Sequence, residues 1–273
     1  MGVHDSSSTR VVPVFDTMYA ADPTGSRWLS RLLRLPTGGQ PFQVPPDCSY
    51  VIRKADWGHK KNGRPLEEEK LPAPVSLLSW IINHPRKPVS GNLSSDPSVA
   101  KKRQEWIAGS KDRIDEGIRL LQHNPTGEMW HLFEGESQPD VFIETDNLVV
   151  VIEGKRTERH PTTTTKWMAG RHQMLRHIDC AWERRKGKSV FGFFIVEGVG
   201  DSCDVPAAWL GFAKGTISPE AVTSSLPHRS QAEQEGISSC FIGVTTWQRV
   251  CHDFADFGLK WSDLPDTDRA ASP

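Results

Sequence analysis

The stretch QPDVFIETDNLVVVIEGK, residues 138–155, predicts a β-hairpin that ends in charged residues. Two runs of β-branched and aromatic residues, 141–145 and 148–152, are joined by polar turn residues. The second run is apolar on both faces, which is typical of a central strand. The hairpin therefore supplies two neighbouring strands of a sheet, and we expect the rest of the fold to be built around them.

The charges at the end of this hairpin predict a site. Because side chains alternate along a strand, Glu153 and Lys155 lie on one face and Gly154 points to the other. Unpaired charges at the end of a buried strand cost on the order of several kcal/mol unless a metal ion or a phosphate compensates them. Asp140 opens the partner strand and can bring a second carboxylate to the same end. The alternative is that Glu153 and Lys155 only solvate the strand end.

Pro139-Asp140 followed by Glu153-Gly154-Lys155 resembles the PD-(D/E)XK nuclease superfamily, which has a restriction-endonuclease-like fold. The resemblance implies that Asp140 and Glu153 hold Mg²⁺ or Mn²⁺ and that the Gly154 carbonyl adds a ligand. It also implies that Lys155 assists the attacking water. These residue types suit the chemistry, because Mg²⁺ takes hard oxygen ligands and an ammonium group offsets phosphate charge.

The order of predicted elements agrees with the α-β-β-β-α-β core of that family. A helix begins at Asp96, residues 129–134 are interpreted as the first strand, and the hairpin supplies the next two. Residues 166–185 are predicted to be a helix and residues 189–196 a strand. The resemblance thus implies an α/β fold with a mixed central sheet flanked by helices.

The chain of 273 residues is long enough for one elaborated domain. We expect, in order, a disordered tail (1–10), an N-terminal elaboration (11–95), the nuclease core (96–200), a C-terminal elaboration of the core (201–262) and a tail (263–273). Within the C-terminal elaboration, residues 209–212 are interpreted as a strand. Thr245 and Gln248 are interpreted as a helix-capping box.

Positive charge is concentrated after the hairpin. Residues 155–188 hold ten Lys and Arg against three acids, although the net charge of the whole chain is −1. Lys166, Gln173, His177 and Arg184 recur at steps of seven, four and seven residues and form a stripe beside the apolar face of the predicted helix. We expect this stripe to lie along a nucleic-acid backbone. The alternative is a solvated basic helix face.

Two points within the resemblance stay open. The exonuclease branch of the family carries Gln-x-x-x-Tyr on this helix, whereas here Gln173 is followed by His177 in place of tyrosine, so the branch is undecided. Many members have a third carboxylate at the metal. The candidates in this sequence are Asp115, Glu116, Glu134 and Glu136.

The remaining composition indicates a cytoplasmic protein. Five cysteines, without Cys-x-x-Cys spacing, indicate reduced thiols. There is no apolar run of eighteen residues and no signal-peptide core, so we expect no membrane contact. The sequence therefore predicts a Mg²⁺-dependent nuclease of the restriction, defence or repair type, with DNA as the expected substrate, RNA not excluded, and a homodimer as an open alternative. A catalytically silent nucleic-acid-binding member of the fold, and a protein-interaction domain with a structural Glu153–Lys155 pair, are the competing hypotheses.

Overall fold

The computed structural model describes residues 6–43, 49–58, 69–123 and 129–265. The strands are β1 (Thr37–Gly38), β2 (Lys54–Trp57), β3 (Val141–Glu144), β4 (Leu148–Gly154), β5 (Ser189–Val196) and β6 (Phe241–Thr246). The helices are α1 (Val12–Ala21), α2 (Leu29–Leu32), α3 (Val75–Asn83), α4 (Pro97–Ile107), α5 (Lys111–His123), α6 (Gln173–Arg184), α7 (Ala207–Thr216), α8 (Pro219–Ser225), α9 (Gln231–Ser239) and α10 (Trp247–Asp253).

The strands form one six-stranded mixed sheet in the order β1-β6-β5-β4-β3-β2. Strand β3 is antiparallel to both of its neighbours, β2 and β4, whereas β4, β5 and β6 run parallel and β1 is antiparallel to β6. The hairpin predicted from the sequence is confirmed as β3 and β4, and β4 is buried along its whole length, as expected for a central strand. The protein is thus an α/β protein with a mixed sheet flanked by helices.

Helices cover both faces of the sheet, and the side chains of β4 point alternately into the two apolar layers between the sheet and these helices. Leu148, Val150 and Ile152 point toward the N-terminal helices and α10, and Val149 and Val151 point toward α6. Continuing this alternation puts Glu153 on the α6 face. The packing of α6 therefore decides which side chains meet that carboxylate.

A third apolar cluster lies among α3, α4, α5 and the loops that follow. The helix start predicted at Asp96 is confirmed, since its side chain accepts hydrogen bonds from the backbone N–H groups of Ser98 and Val99. The cluster also takes in Trp130 and Phe133, both buried. Residues 129–134, all within the described chain, form no strand, so the first-strand prediction is wrong. Their aromatic side chains are buried among helices, and β2 pairs with β3 instead.

The prediction that a helix spans residues 166–185 is wrong at its N-terminal end, because α6 begins at Gln173. Trp167 packs with Trp106 and Phe133, at ring-centroid distances of 5.7 and 5.0 Å. Because the Trp167 ring is buried in the third apolar cluster, the residues around it do not continue helix α6 toward its N-terminal side. Lys166 therefore lies in a loop, where its carbonyl accepts a hydrogen bond from the Val89 backbone.

The N-terminus is ordered further than expected. Residues 7–10 were expected to be disordered, but Ser7–Val11 forms a π-helical turn against the sheet. Arg10 is fully buried and its Nε lies 2.9 Å from Oε2 of Glu197, which follows β5. This buried ion pair explains why so polar a segment is held in place.

Two C-terminal expectations are also corrected. Residues 209–212 form part of helix α7 and not a strand. The cap of α10 is Thr246, which accepts from the Arg249 backbone, while the Gln248 side chain contacts the loop after β5. Residues 1–5, Cys48 and residues 266–273 lie outside the described chain. Within the described ranges, no helix combines the length and apolar character needed to cross a bilayer.

Candidate functional site

The two predicted acids lie at the same end of the hairpin. Val141 pairs with Ile152, and extending this register by one position sets Asp140 opposite Glu153. The Oδ2 atom of Asp140 accepts a hydrogen bond of 2.7 Å from the Gly154 backbone N–H. The Asp140 carboxylate therefore lies across the end of β4, next to the residue that separates Glu153 from Lys155.

The backbone at the end of β4 is tightly held. The Lys155 N–H donates to the Ile195 carbonyl at 2.8 Å, which prolongs the parallel pairing with β5. The Trp247 indole N–H donates to the Lys155 carbonyl at 3.1 Å. A Cβ atom on Gly154 would lie 2.8 Å from side-chain atoms of Trp247 and Val11, closer than real Cβ contacts allow. A glycine is needed here because the backbone is packed directly against those two side chains.

Glu153 is the centre of a buried polar cluster and is only 5% exposed. Its Oε1 atom accepts hydrogen bonds from Lys155 Nζ at 2.9 Å and from Gln173 Nε2 at 2.6 Å. Its Oε2 atom lies 3.0 Å from His177 Nε2, but the contact is not aligned as a hydrogen bond, and no other described residue donates to it. Oε2 is therefore the oxygen of this carboxylate that lacks an aligned donor among the described residues.

His177 is supported from behind by the loop before β3. Its Nδ1 atom lies 2.7 Å from the Ser137 hydroxyl oxygen. Ser137 is itself held by two backbone hydrogen bonds with Leu71, of 2.7 and 2.9 Å. His177 is 3% exposed, which leaves its ring no accessible surface for the expected contact with a nucleic-acid backbone. The helix face that was expected to be polar and accessible is turned inward toward Glu153.

The charges of this cluster stabilise one another. Burial alone would raise the pKa of Glu153, but Lys155 and the contact with His177 outweigh it and lower the pKa to about 2. Burial opposes the charge on Lys155 as well, but Glu153, Asp140 and Glu158 raise the pKa of the amine above its ordinary value. Glu153 is therefore a carboxylate and Lys155 an ammonium ion at neutral pH.

The four residues of the predicted stripe are not brought together on one surface. Gln173 and His177 face Glu153, and Lys166 lies outside the helix. Arg184, at the other end of α6, forms an ion pair of 2.7 Å with Glu69 and keeps 41% of its side chain exposed. The spacing argument fails because the helix begins seven residues later than its periodicity suggested.

Much of the positive charge after the hairpin is neutralised by acids from other parts of the chain. Arg171 is fully buried between Glu134 and Asp179, at 3.0 and 2.8 Å. Lys188 forms an ion pair of 2.6 Å with Glu144. The local excess of Lys and Arg thus builds internal ion pairs, and it leaves a smaller accessible basic surface than the sequence count implies.

The candidates for a third carboxylate are all engaged or located elsewhere. Asp115 and Glu116 pair with a lysine and an arginine of α5 itself. Glu134 pairs with Arg171, and Glu136 is exposed on the loop before β3. In the part of the chain that the structure describes, no group of three or more His, Cys, Asp or Glu side chains is arranged to hold a metal ion. The acidic side chains that the described residues bring to the hairpin end are thus Asp140 and Glu153.

Sequence reasoning missed Ser137 and Trp247, which support the site from outside the motif. Ser137 stands in a loop with no periodic pattern, and Trp247 opens a short helix near the C-terminus. No local signal in the sequence distinguishes them from ordinary loop and core residues.

No protein-family model, curated protein or solved structure matches this chain in the comparisons with known proteins.

Proposed function

We propose that this protein is a Mg²⁺-dependent nuclease of the PD-(D/E)XK type, which hydrolyses phosphodiester bonds of nucleic acid, with DNA as the expected substrate. The observation that carries the proposal is the meeting of Asp140, Glu153 and Lys155 at one end of two adjacent strands. Two carboxylates beside one ammonium ion suit a site that holds a cation and a phosphate together.

The topology supports the proposal with one revision. If α2, the short edge strand β1 and helices α3, α4 and α5 are set aside, the remaining elements occur in the α-β-β-β-α-β order: α1, the strands β2, β3 and β4 in antiparallel pairs, α6, and β5 parallel to β4. In this assignment the first helix and strand of the core come from residues 12–57. The helical unit built from α3, α4 and α5 is then an insertion between the first and second core strands.

The residues present fit a magnesium ion. Glu153 Oε2 is a buried oxygen without an aligned donor among the described residues, and Asp140 lies opposite it in the strand register. The Gly154 carbonyl is a further oxygen at the same strand end. Mg²⁺ commonly binds through one or two carboxylates and keeps several waters, so a third acidic side chain is not required.

A bound Mg²⁺ would supply a water of lowered pKa and would offset the charge of the phosphate. The chain's own residues hold and orient the reacting groups. Lys155 Nζ lies 2.9 Å from Glu153 Oε1, and its ammonium group would offset negative charge that develops on the phosphate. Lys166 and Arg184, which lie apart and retain solvent contact, remain candidates for phosphate contacts outside the site.

One observation favours a different hypothesis, a protein-interaction domain in which the Glu153–Lys155 pair is purely structural. Lys155 and Gln173 already compensate the charge of Glu153, so the cluster is stable without a cation. Thermal unfolding with Mg²⁺ or Mn²⁺ separates the two hypotheses. A metal-binding nuclease is stabilised by either ion, whereas a purely structural cluster is not.

The test of the proposal is incubation of the purified protein with linear and circular duplex DNA, single-stranded DNA and RNA. Each substrate is combined with Mg²⁺, Mn²⁺ or EDTA. We expect cleavage of DNA that requires a metal ion and stops in EDTA. Intact substrates under all metal conditions, or cleavage that persists in EDTA, would contradict the proposal.

A further inference from the structure

We propose that Ser137 and His177 orient the Glu153 carboxylate for cation binding, which makes His177 a positioning residue of the site. This inference rests on the proposed function. It assigns to two residues outside the Asp140 and Glu153-Gly154-Lys155 motif a role in holding the metal ligand.

The three side chains form a continuous buried chain of contacts. Ser137 Oγ lies 2.7 Å from His177 Nδ1, and His177 Nε2 lies 3.0 Å from Glu153 Oε2. All three residues are buried. A ring-nitrogen lone pair this close to a carboxylate oxygen would be repelled, so Nε2 carries a hydrogen directed toward Glu153. The Ser137 hydroxyl can either donate to Nδ1 or accept from it, and it therefore supports this orientation of the ring.

The geometry of α6 gives Glu153 two separate supports. Gln173 and His177 are four residues apart and lie on the same side of the helix. Gln173 donates to Oε1, while His177 faces Oε2. A hydrogen bond at one oxygen and a close contact at the other, both from the same helix, restrict rotation of the carboxylate about its last bond, which is otherwise a soft torsion.

The His177 contact is close but imperfectly aligned. Hydrogen bonds in ligand-free sites are often loose and tighten when the ligand binds. If Glu153 and Asp140 held a cation, the imidazole of His177 would support the Oε2 side of the Glu153 carboxylate. Residues that orient a metal ligand in this way typically contribute about 10- to 100-fold to metal affinity or activity.

The test is calorimetric measurement of Mn²⁺ affinity for the full chain and for a series of variants. We expect His177→Ala to weaken Mn²⁺ binding by about 10- to 100-fold. His177→Gln, whose amide nitrogen reaches about as far as Nε2, should restore most of the affinity, whereas the shorter His177→Asn should not. The Mn²⁺ affinity of Ser137→Ala should lie between the affinities of the wild type and His177→Ala. The matched control is His131→Gln, because His131 is 4% exposed, similar to His177, but packs beside Trp130 in the third apolar cluster.

Cleavage gives a second readout. Activity that His177→Ala loses at low Mn²⁺ should return when the Mn²⁺ concentration is raised, which a variant damaged only in its fold would not show. Unfolding without metal checks that each variant is folded, and the comparison of His177→Gln with His177→Asn keeps the test valid if the alanine variant is unstable.

The inference is overturned if His177→Ala binds Mn²⁺ as tightly as the wild type, or if His177→Gln is no better than His177→Asn. The second result would indicate that the ring is itself a ligand or only part of the core. Failure of the proposed function has a different signature, since the wild-type protein would then bind no Mn²⁺ at all.

Discussion

Glu153 and Gln173 are joined by a hydrogen bond of 2.6 Å between Oε1 and Nε2, which ties the end of β4 to the first residue of α6. This hydrogen bond therefore joins the two ends of the loop between β4 and α6. The N-terminal end of α6, where the helix dipole favours negative charge, lies beside an ionised acid. The crossover that links two parallel strands thus also completes the candidate site.

Replacing Gln173 with alanine leaves Glu153 Oε1 with Lys155 as its only donor among the described residues. We expect the cleavage rate to fall by about 10-fold or more, because the orientation of the carboxylate is lost while its charge remains. The control is Gln231→Ala, an exposed glutamine of α9 that contacts Glu235 and should not affect cleavage. Equal rates for both variants would show that the contact with Gln173 has no functional role.

Lys155→Met should lower single-turnover cleavage by about 10²- to 10³-fold and change DNA affinity much less, because the ammonium matters to charge that develops during the reaction. The pKa of Lys155 is raised above its ordinary value of 10.5, so the charge persists through the neutral range and is lost only in strong alkali. The control is Lys101→Met, because Lys101 is an exposed residue of α4. A large loss of DNA binding with unchanged cleavage of bound DNA would contradict this role.

Gly154→Ala should destabilise the protein by about 1–3 kcal/mol, because the added methyl group would overlap Trp247 and Val11. The same substitution at Gly211, inside α7, meets no atom within 4 Å and should be neutral or stabilise by up to about 1 kcal/mol. Urea unfolding of the two variants gives both values. A Gly154→Ala protein as stable as the wild type would show that this close packing is absent in solution.

Asp179→Asn should destabilise the protein by about 3–5 kcal/mol, because it leaves buried Arg171 without part of its compensation. Burial alone would raise the pKa of Asp179, but Arg171, His228 and Arg229 outweigh it and lower the pKa well below the ordinary 3.8. A lowered pKa means that the stabilisation is present above pH 3.8 and is lost as the pH falls further.

Unfolding free energies between pH 6 and pH 2 test this directly. The wild-type protein should lose stability more steeply on acidification than Asp179→Asn, so that the two curves converge at low pH. The exposed Asp204→Asn should differ from the wild type by less than about 0.5 kcal/mol. If the difference in unfolding free energy between the wild type and Asp179→Asn stayed constant across the pH range, Asp179 would not titrate as the structure indicates.

The parts of the fold that were predicted correctly depend on local patterns. The hairpin of β3 and β4, strand β5 and the cap at Asp96 each follow from a few neighbouring residues. The position of strand β2 in the sheet could not be predicted in this way. Residues 58–140 separate β2 from its partner β3, and no local pattern indicates that the two strands pair. Trp130 and Trp167 misled the strand and helix assignments, since their burial in the helical unit is a tertiary effect.

The same distinction between local sequence patterns and tertiary packing applies to the candidate site. Strand alternation and the hairpin register brought Asp140, Glu153 and Lys155 to one end, as expected. Helical spacing correctly placed Gln173 and His177 on one side of α6, but it could not tell whether that side faces solvent or Glu153. Orientation depends on the packing of the whole helix against the sheet, which the sequence of the helix alone does not determine.

The most direct test of the account is metal-dependent DNA cleavage by Asp140→Asn and Glu153→Gln, measured with Mn²⁺-induced thermal stabilisation of the same proteins. Both substitutions keep the size of the side chain and remove its charge. We predict that both variants fold, lose the stabilisation by Mn²⁺ and cleave at least about 10²-fold more slowly. Glu235→Gln, an exposed residue of α9, should behave as the wild type. Undiminished cleavage by both site variants would contradict the assignment of this hairpin end as a nuclease site.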